Sequence, residues 1–176
     1  LENLKNNLVK ILNDGRMENY KTCVLHLPFK IKHKEISAIS EAIQQINNID
    51  FVAIKVNLDN KYFGYSFHNT LVPYESSFVK LSRSEYLDWF EGLLYGKEVV
   101  DKRLSNPVHI QFLNLDNSKG FDERKYLQDV LNLSGANWRG FNAKSIPISI
   151  YYSQIIAKYT EAFEMIDGYE ENSISN

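Results

Sequence analysis

Two short apolar runs flank one helical stripe, and that order limits the fold more than any other feature of the chain. Residues 21 to 27 and 51 to 56 are rich in Val, Leu, Ile and Phe, and turn formers bound them: Pro28 ends the first and Asn57 follows the second. Between them Ile36, Ile39, Ile43 and Ile46 recur at helical spacing, with Glu35, Ser40, Gln44 and Gln45 on the other face. Runs of that length read as buried strands, and the isoleucine stripe reads as an amphipathic helix. A helix with one apolar face between two strands must cover a sheet, so the predicted class is layered α/β.

The rest of the chain extends this pattern. Leu4, Leu8, Ile11 and Leu12 predict a first helix that stops at Asp14-Gly15. After a polar turn from Asn57 to Lys61, Tyr62 to Phe67 is expected to return as the second strand of a hairpin. Ser77 to Leu81 reads as a short strand. Ser82-Arg83-Ser84-Glu85 has the capping-box spacing and predicts a helix burying Tyr86, Leu87, Phe90 and Leu94. Pro107 to Leu113 alternates Val108, Ile110 and Phe112 against His109, Gln111 and Leu113, as a strand does. Asp122 is placed to cap a helix carrying Leu127, Val130 and Leu131, and negative charge from Asp122-Glu123 suits that end better than a catalytic carboxylate pair. A loop rich in Gly and Asn follows, and Pro147 sits near the start of a last helix with Tyr151, Ile155, Tyr159, Ala162 and Ile166 on one face. No repeat or low-complexity linker interrupts the chain, so 1–176 is expected to be one domain, with 168–176 a frayed polar tail.

Composition excludes some classes. The formal net charge of -2 argues against a protein that holds nucleic acid by overall charge, and leaves a local basic groove open. Cys23 is the one cysteine and lies in an apolar run, so it is expected to be a buried strand residue in a reducing cytoplasm rather than a nucleophile. No stretch is apolar for long enough to span a membrane. The N-terminus shows no signal-peptide pattern and no initiator Met, which fits a piece of a longer chain. His26, His33, His68 and His109 form no i, i+4 pair, and no cysteine cluster, Walker loop or dinucleotide fingerprint occurs, so no metal site is expected.

One segment is locally basic. Phe29-Lys30-Ile31-Lys32-His33-Lys34 follows the first strand. It fits a solvated loop before a helix and, equally, a phosphate-contacting loop with an aromatic beside it.

Three further segments resemble the C-terminal part of a PIWI domain of the Argonaute family. The most specific is Asn137-Trp138-Arg139-Gly140-Phe141-Asn142-Ala143-Lys144-Ser145-Ile146-Pro147 with Tyr151-Tyr152: a loop with an aromatic and an arginine, then Ile-Pro and a Tyr-Tyr pair leading a final helix. Val72-Pro73-Tyr74 followed by Ser77 to Ser82 is similar to the family's Pro-Tyr turn and short strand. Val24-Leu25-His26, followed by a helix and the strand at 51–56, is similar to the PIWI strand that ends in a catalytic aspartate. Together they cover most of 21 to 159. The resemblance implies a ribonuclease-H-like mixed sheet flanked by helices. The middle domain and the remainder of PIWI would lie elsewhere in the protein.

The departures from the family pattern bear on activity. Active relatives place an aspartate just after the histidine of the first strand, where this chain reads His26-Leu27-Pro28. The last catalytic position falls near Gly135 when Ile146-Pro147 is the anchor. None of Leu27, Pro28 and Gly135 can ligate a metal through its side chain, and two-metal phosphodiester cleavage needs such ligands. The resemblance therefore implies an inactive PIWI lobe, like those of short prokaryotic Argonautes in host defence. Such a lobe holds a guide RNA or DNA and a complementary target strand, and passes the signal to an effector protein. By resemblance Arg139 lies near the guide 5′ phosphate, with Lys144 and Tyr152 close by, while Trp138 is expected to pack. Magnesium at that phosphate belongs to the full-length protein. Two rival expectations stand beside this one: an active guided nuclease whose ligands come from outside this chain, and a lobe that docks an effector.

Overall fold

The computed structural model describes residues 1–15, 19–28, 30–46, 49–64, 73–74, 76–90, 106–113, 122–135 and 146–164. Helix α1 (Glu2–Leu12) leads to strand β1 (Thr22–Pro28), helix α2 (His33–Ile43) and strand β2 (Asp50–Asn57). Three more strands follow: β3 (Ser77–Lys80), β4 (Glu85–Trp89) and β5 (Val108–Leu113). Helices α3 (Glu123–Gly135) and α4 (Ile148–Glu164) close the described chain. It divides into two compact units, Leu1–Gln128 and Asp129–Asn176.

The first unit holds a mixed five-stranded sheet in the order β1-β2-β5-β4-β3. β1 and β2 run parallel, with Val24 opposite Val52 and Leu27 opposite Lys55. A parallel pair needs a crossover, and the isoleucine-striped α2 supplies it. The other three pairings are antiparallel. The mixed α/β sheet expected from the sequence is thus present.

Two side-chain layers hold the sheet. On one face Leu27, Ile39, Ile43 and Ala53 form a buried cluster, with Leu8, Leu25, Ile31, Phe51 and Leu113 packed against it. The stripe of α2 is therefore its buried face, and α1 joins through Leu8. Ile54 of β2, opposite Phe112, and Ile110 of β5, opposite Val56, are completely buried. Burying one such side chain contributes about 1.5–3 kcal/mol.

Three expectations differ from the structure. The capping-box segment does not open a helix: Glu85 to Trp89 is strand β4, between β5 and β3. Tyr86, Leu87, Asp88 and Trp89 are all buried, because an inner strand is covered on both faces. Its apolar residues then show no two-residue period, and Tyr86, Leu87 and Phe90 imitate a helical stripe. The hairpin after β2 is also absent over Tyr62 to Gly64, which belong to no strand. β5 occupies that flank of β2 instead. Asn60 holds the departing chain: its amide donates to the carbonyls of Asn57 at 3.2 Å and Pro107 at 2.7 Å, and its oxygen accepts from the Tyr62 N–H at 3.0 Å. Residues 65–67 and Leu94 lie outside the described residues.

The third difference concerns α4. Pro147 and Ile150 are buried, and Tyr151 and Ile155 are half-buried, but Tyr159 is 62% exposed and Ala162 is exposed. A helical stripe records amphipathicity, and here only the first turns are covered. Pro147 behaves as expected at this helix start: its carbonyl accepts from the N–H groups of Ile150 and Tyr151 at 3.0 Å. Ile166 and the tail at 168–176 lie outside the described residues.

Candidate nucleic-acid interface

Strand β1 delivers the basic segment to the first turn of α2. The Ile31 N–H donates to the Pro28 carbonyl at 3.2 Å, which turns the chain as it leaves the sheet. The Ile31 side chain packs on the core cluster of Leu27, Ile39, Ile43 and Ala53. One apolar anchor between two cations leaves Lys30 and Lys32 exposed on either side, and Lys34 is exposed in the first turn of the helix. The sequence-predicted Lys30, Lys32 and Lys34 are thus all exposed at this junction.

The helix start is partly satisfied from within. Lys32 is the N-cap, in extended conformation at φ -77 and ψ 152. A lysine side chain has no acceptor, so only the reciprocal half of a capping box forms: the Glu35 carboxylate accepts from the Lys32 N–H at 2.7 Å. Ser37 donates to the His33 carbonyl at 3.1 Å. Glu35 offsets one of the three lysine charges, and the aligned peptides of α2 add partial positive charge at the same end. The segment is suited to a multiply charged anion approached from solvent.

The remaining candidates are distributed as follows. Tyr152 is half-buried on α4, in the second unit, with its ring 5.5 Å from that of Tyr151 in an edge-to-face arrangement. Arg139, Lys144 and Trp138 lie outside the described residues. Leu27 belongs to the core, and Pro28 ends β1 beside Val56. Gly135 is the last residue of α3. Among the described residues no three His, Cys, Asp or Glu side chains come together as a metal site, and no helix is long and apolar enough to cross a membrane. Cys23 is half-buried in β1, and burial pushes its thiol above the ordinary range.

Two groups of ionisable side chains escaped the sequence reading. Asp88 is 3% exposed on β4, and burial pushes its carboxyl up to about 7, against a partial downward pull from the Trp89 backbone hydrogen bond. It was hidden because its strand imitates a helix. The second group joins β3, β4 and α3. Tyr86 donates its phenolic hydrogen bond to the Glu123 carboxylate, and Lys80 approaches the same oxygen at 2.9 Å. Burial opposes the charge on Glu123, but the bonds from Tyr86 and Lys80 outweigh it and hold its pKa below the usual range. Asp122 caps the helix as expected, accepting from the N–H groups of Arg124 at 3.1 Å and Lys125 at 3.5 Å. Glu123 thus has a different task from its neighbour, which sequence adjacency concealed.

On the sheet face of Leu87 and Trp89 there is a cup of about 370 Å³, lined by Phe63, Gly64, Pro73, Tyr74, Ser77, Val79, Leu87 and Trp89. The same face carries a polar row across three strands. Glu85 pairs with Gln111, which pairs with Lys55, and the Gln111 amide donates to Glu85 at 3.1 Å.

No protein-family model matches the chain. A Piwi protein of Archaeoglobus fulgidus is 24% identical to it over 159 residues, covering 84% of the chain and 37% of that relative. Among solved structures, the Argonaute of A. aeolicus superposes with a TM-score of 0.63 and 16% identity over 96% of the chain and 22% of its own length. A structure of Aa-Ago with externally bound siRNA gives a TM-score of 0.60 and 16% identity, over 96% of the chain and 21% of that protein. The chain therefore spans a little over a third of the Piwi protein and about a fifth of the Argonautes, and at these identities the structural likeness is one of fold.

Proposed function

From a chain that has the fold of an Argonaute PIWI domain and shares sequence with an archaeal Piwi protein, we propose that it forms part of a guided nucleic-acid-binding protein that does not itself cut. The observation that carries the reading is the match of that fold over 96% of the chain. The three exposed lysines at the β1–α2 junction give the fold a place to meet phosphates. In this reading the sequence of the target is read by base pairing with the guide, and the protein holds backbones by charge and recognises duplex shape.

The loss of cleavage is proposed from side-chain chemistry. Leu27, Pro28 and Gly135 offer no oxygen or imidazole ligand at the slots that the family resemblance assigns to catalysis. Arg139, Lys144 and Tyr152 are proposed to hold the guide near its 5′ phosphate. A magnesium ion at that phosphate is proposed for the full-length protein, between this half and the middle domain. Guide and target in a host-defence setting, and a separate effector receiving the signal, complete the proposal. The exposed Ile156 and Tyr159 of α4 favour a second, compatible reading in which this lobe also docks a protein.

The test uses the full-length protein loaded with a guide, in magnesium or manganese. A complementary strand should be retained over a scrambled one and recovered uncut. Retention that ignores complementarity would remove the guided reading. Cleavage that disappears when carboxylates of this chain are replaced would remove the inactive one.

A further inference from the structure

We propose that the outer edge of β3 takes an extended, acidic segment of a partner protein as an added strand. The proposal stands apart from guide binding and from the exposed residues of α4. β3 closes the sheet on the side away from β1, and among the described residues no strand pairs with its outer edge. The ladder fixes which backbone groups lie there. The Leu81 N–H donates to the Glu85 carbonyl at 2.8 Å, so in the antiparallel register Val79 and Leu87 form the next bonded pair. On the other flank of β4 the Phe112 N–H donates to the Ser84 carbonyl at 2.8 Å, which gives β4 the same alternation. Phe78 and Lys80 therefore aim their N–H and C=O groups away from β4. An extended polypeptide presents the same repeat of donor and acceptor, and main-chain hydrogen bonds along a sheet edge are how such segments dock. A nucleobase has no such repeat.

Sheet edges are usually guarded by a charged side chain, a proline or a covering loop. Here the charged guard is turned aside. The Lys80 ammonium lies 5.0 Å from the centre of the Tyr86 ring and 2.9 Å from the Glu123 carboxylate, over the sheet rather than across its edge. Phe78, Val79 and Leu81 stay 41%, 49% and 39% exposed. Charge then selects the composition of the partner. The Arg124 guanidinium lies 5.7 Å from the centre of the Phe78 ring, and Arg83 is exposed in the turn between β3 and β4. The carboxylates around them are engaged within the fold: Glu123 accepts from Tyr86 and Lys80, and Asp122 from the N–H groups of Arg124 and Lys125. Asp88, opposite Phe78, is enclosed, and Glu85 lies on the other face, where it accepts from Gln111. Arg83 and Arg124 thus favour Glu or Asp on the Phe78 face of an incoming strand. On the opposite face Val79 favours an apolar residue, because cross-strand neighbours point the same way. A second copy of this chain would set the same arginines against each other, so the strand of a different, acidic protein fits better.

The experiment uses the full-length protein and a fluorescent peptide of alternating Val and Glu. The controls are an alternating Val and Lys peptide, and the Val-Glu peptide N-methylated at every Glu or at every Val. The Val-Glu peptide should bind and the Val-Lys peptide should not. One of the two N-methylated peptides should lose binding and the other keep it, because only alternate N–H groups of an added strand face the edge. Hydrogen exchange at the Phe78 and Lys80 N–H groups should be fast in the free protein and slow with the Val-Glu peptide bound. Phe78→Pro removes an outward donor at an edge position, where a sheet tolerates proline, and should weaken the peptide roughly tenfold. Arg124→Glu should abolish the preference for Val-Glu over Val-Lys. Slow exchange at Phe78 and Lys80 in the free protein would mean that its own chain covers the edge, and would overturn the proposal. So would a Val-Glu peptide that fails to bind, that binds no better than Val-Lys, or that is indifferent to both N-methylations. A dimer broken by Phe78→Pro, with no peptide bound, would assign the edge to a second copy and overturn it as well.

Discussion

Gly64 and Trp89 touch so closely that a methyl group on the glycine would collide with the indole: the added Cβ would stand 2.3 Å from Cζ2. Trp89 is 4% exposed and backs onto the inner part of the sheet, so the ring has little room to retreat. Gly64→Ala should destabilise the fold by about 1–3 kcal/mol, the usual cost of an overpacked contact. Chemical denaturation measures the loss, and a shift in tryptophan emission should accompany it. An unchanged midpoint and spectrum would mean that the segment at Gly64 simply lifts away.

Asp88 should make stability fall as pH rises. Its carboxyl is raised by burial to about 7, whereas an unfolded chain gives about 3.9. Between those values the folded protein keeps a proton that the unfolded chain releases, so stability contributed by the protonated form is lost as pH climbs from about 4 through about 7, and is flat above. The difference of about three units corresponds to roughly 4 kcal/mol at most. Asp88→Asn, of the same shape and without the ionisation, should flatten the profile and gain stability at pH 8 relative to wild type. Denaturation at several pH values checks it, and parallel profiles for the two proteins would show that Asp88 ionises without cost.

Tyr86 and Glu123 should prove energetically coupled. The phenol donates to a carboxylate that Lys80 also contacts, and a hydrogen bond to a charged group contributes about 1.5–3 kcal/mol. Tyr86→Phe and Glu123→Gln should each destabilise, and the double variant should lose less than the sum. Strict additivity would mean that the first turn of α3 is held by packing alone.

β1 and β2 were legible as contiguous, bounded apolar runs, β3 as a short run and β5 by its alternation. Thr22 to Pro28 and Asp50 to Asn57 have turn formers at their ends, and the α2 stripe between them has one clean apolar face. β4 was not legible because Tyr86, Leu87 and Phe90 fall at helical spacing, and Ser82-Arg83-Ser84-Glu85 carries a helix signal that tertiary structure overrides. Its Asp88 was lost with it, while Tyr86 was read as buried, on a helix rather than a strand. Position in the sheet was equally invisible: β5 fills the flank of β2 where a hairpin partner was expected, and local spacing holds no record of a strand arriving from fifty residues on. The lysines at 30, 32 and 34 were legible as a group, whereas Ile31 as their anchor follows only from the packed core.

Arg139 carries the next prediction. A guanidinium can engage two phosphate oxygens at once, which an ammonium cannot. Arg139→Ala should weaken guide binding by the full-length protein by about 1–3 kcal/mol, and Arg139→Lys should recover only part. If the partner is the guide 5′ phosphate, removing that phosphate should erase most of the difference. Equal affinity with and without Arg139 would leave it a structural loop residue.

The lysines of the β1–α2 junction should register in the salt dependence of binding. Lys30, Lys32 and Lys34 are exposed on either side of a half-buried anchor, so replacing all three with alanine while keeping Ile31 should leave the melting transition nearly unchanged. Each lysine that neutralises a phosphate releases counterions, and a single strand gives a slope of about -0.7 per contact in log affinity against log salt. The triple variant should therefore lose about two units of slope if all three engage, and should bind complementary and scrambled strands more weakly by the same factor, because phosphates carry no sequence. Glu35→Gln tests the same surface from the other side. It removes the carboxylate that offsets one lysine and keeps an oxygen for the Lys32 N–H, so it should strengthen binding slightly without changing the fold. A triple variant with wild-type slope and affinity would make this segment an ordinary solvated helix start and move the phosphate contacts elsewhere in the protein.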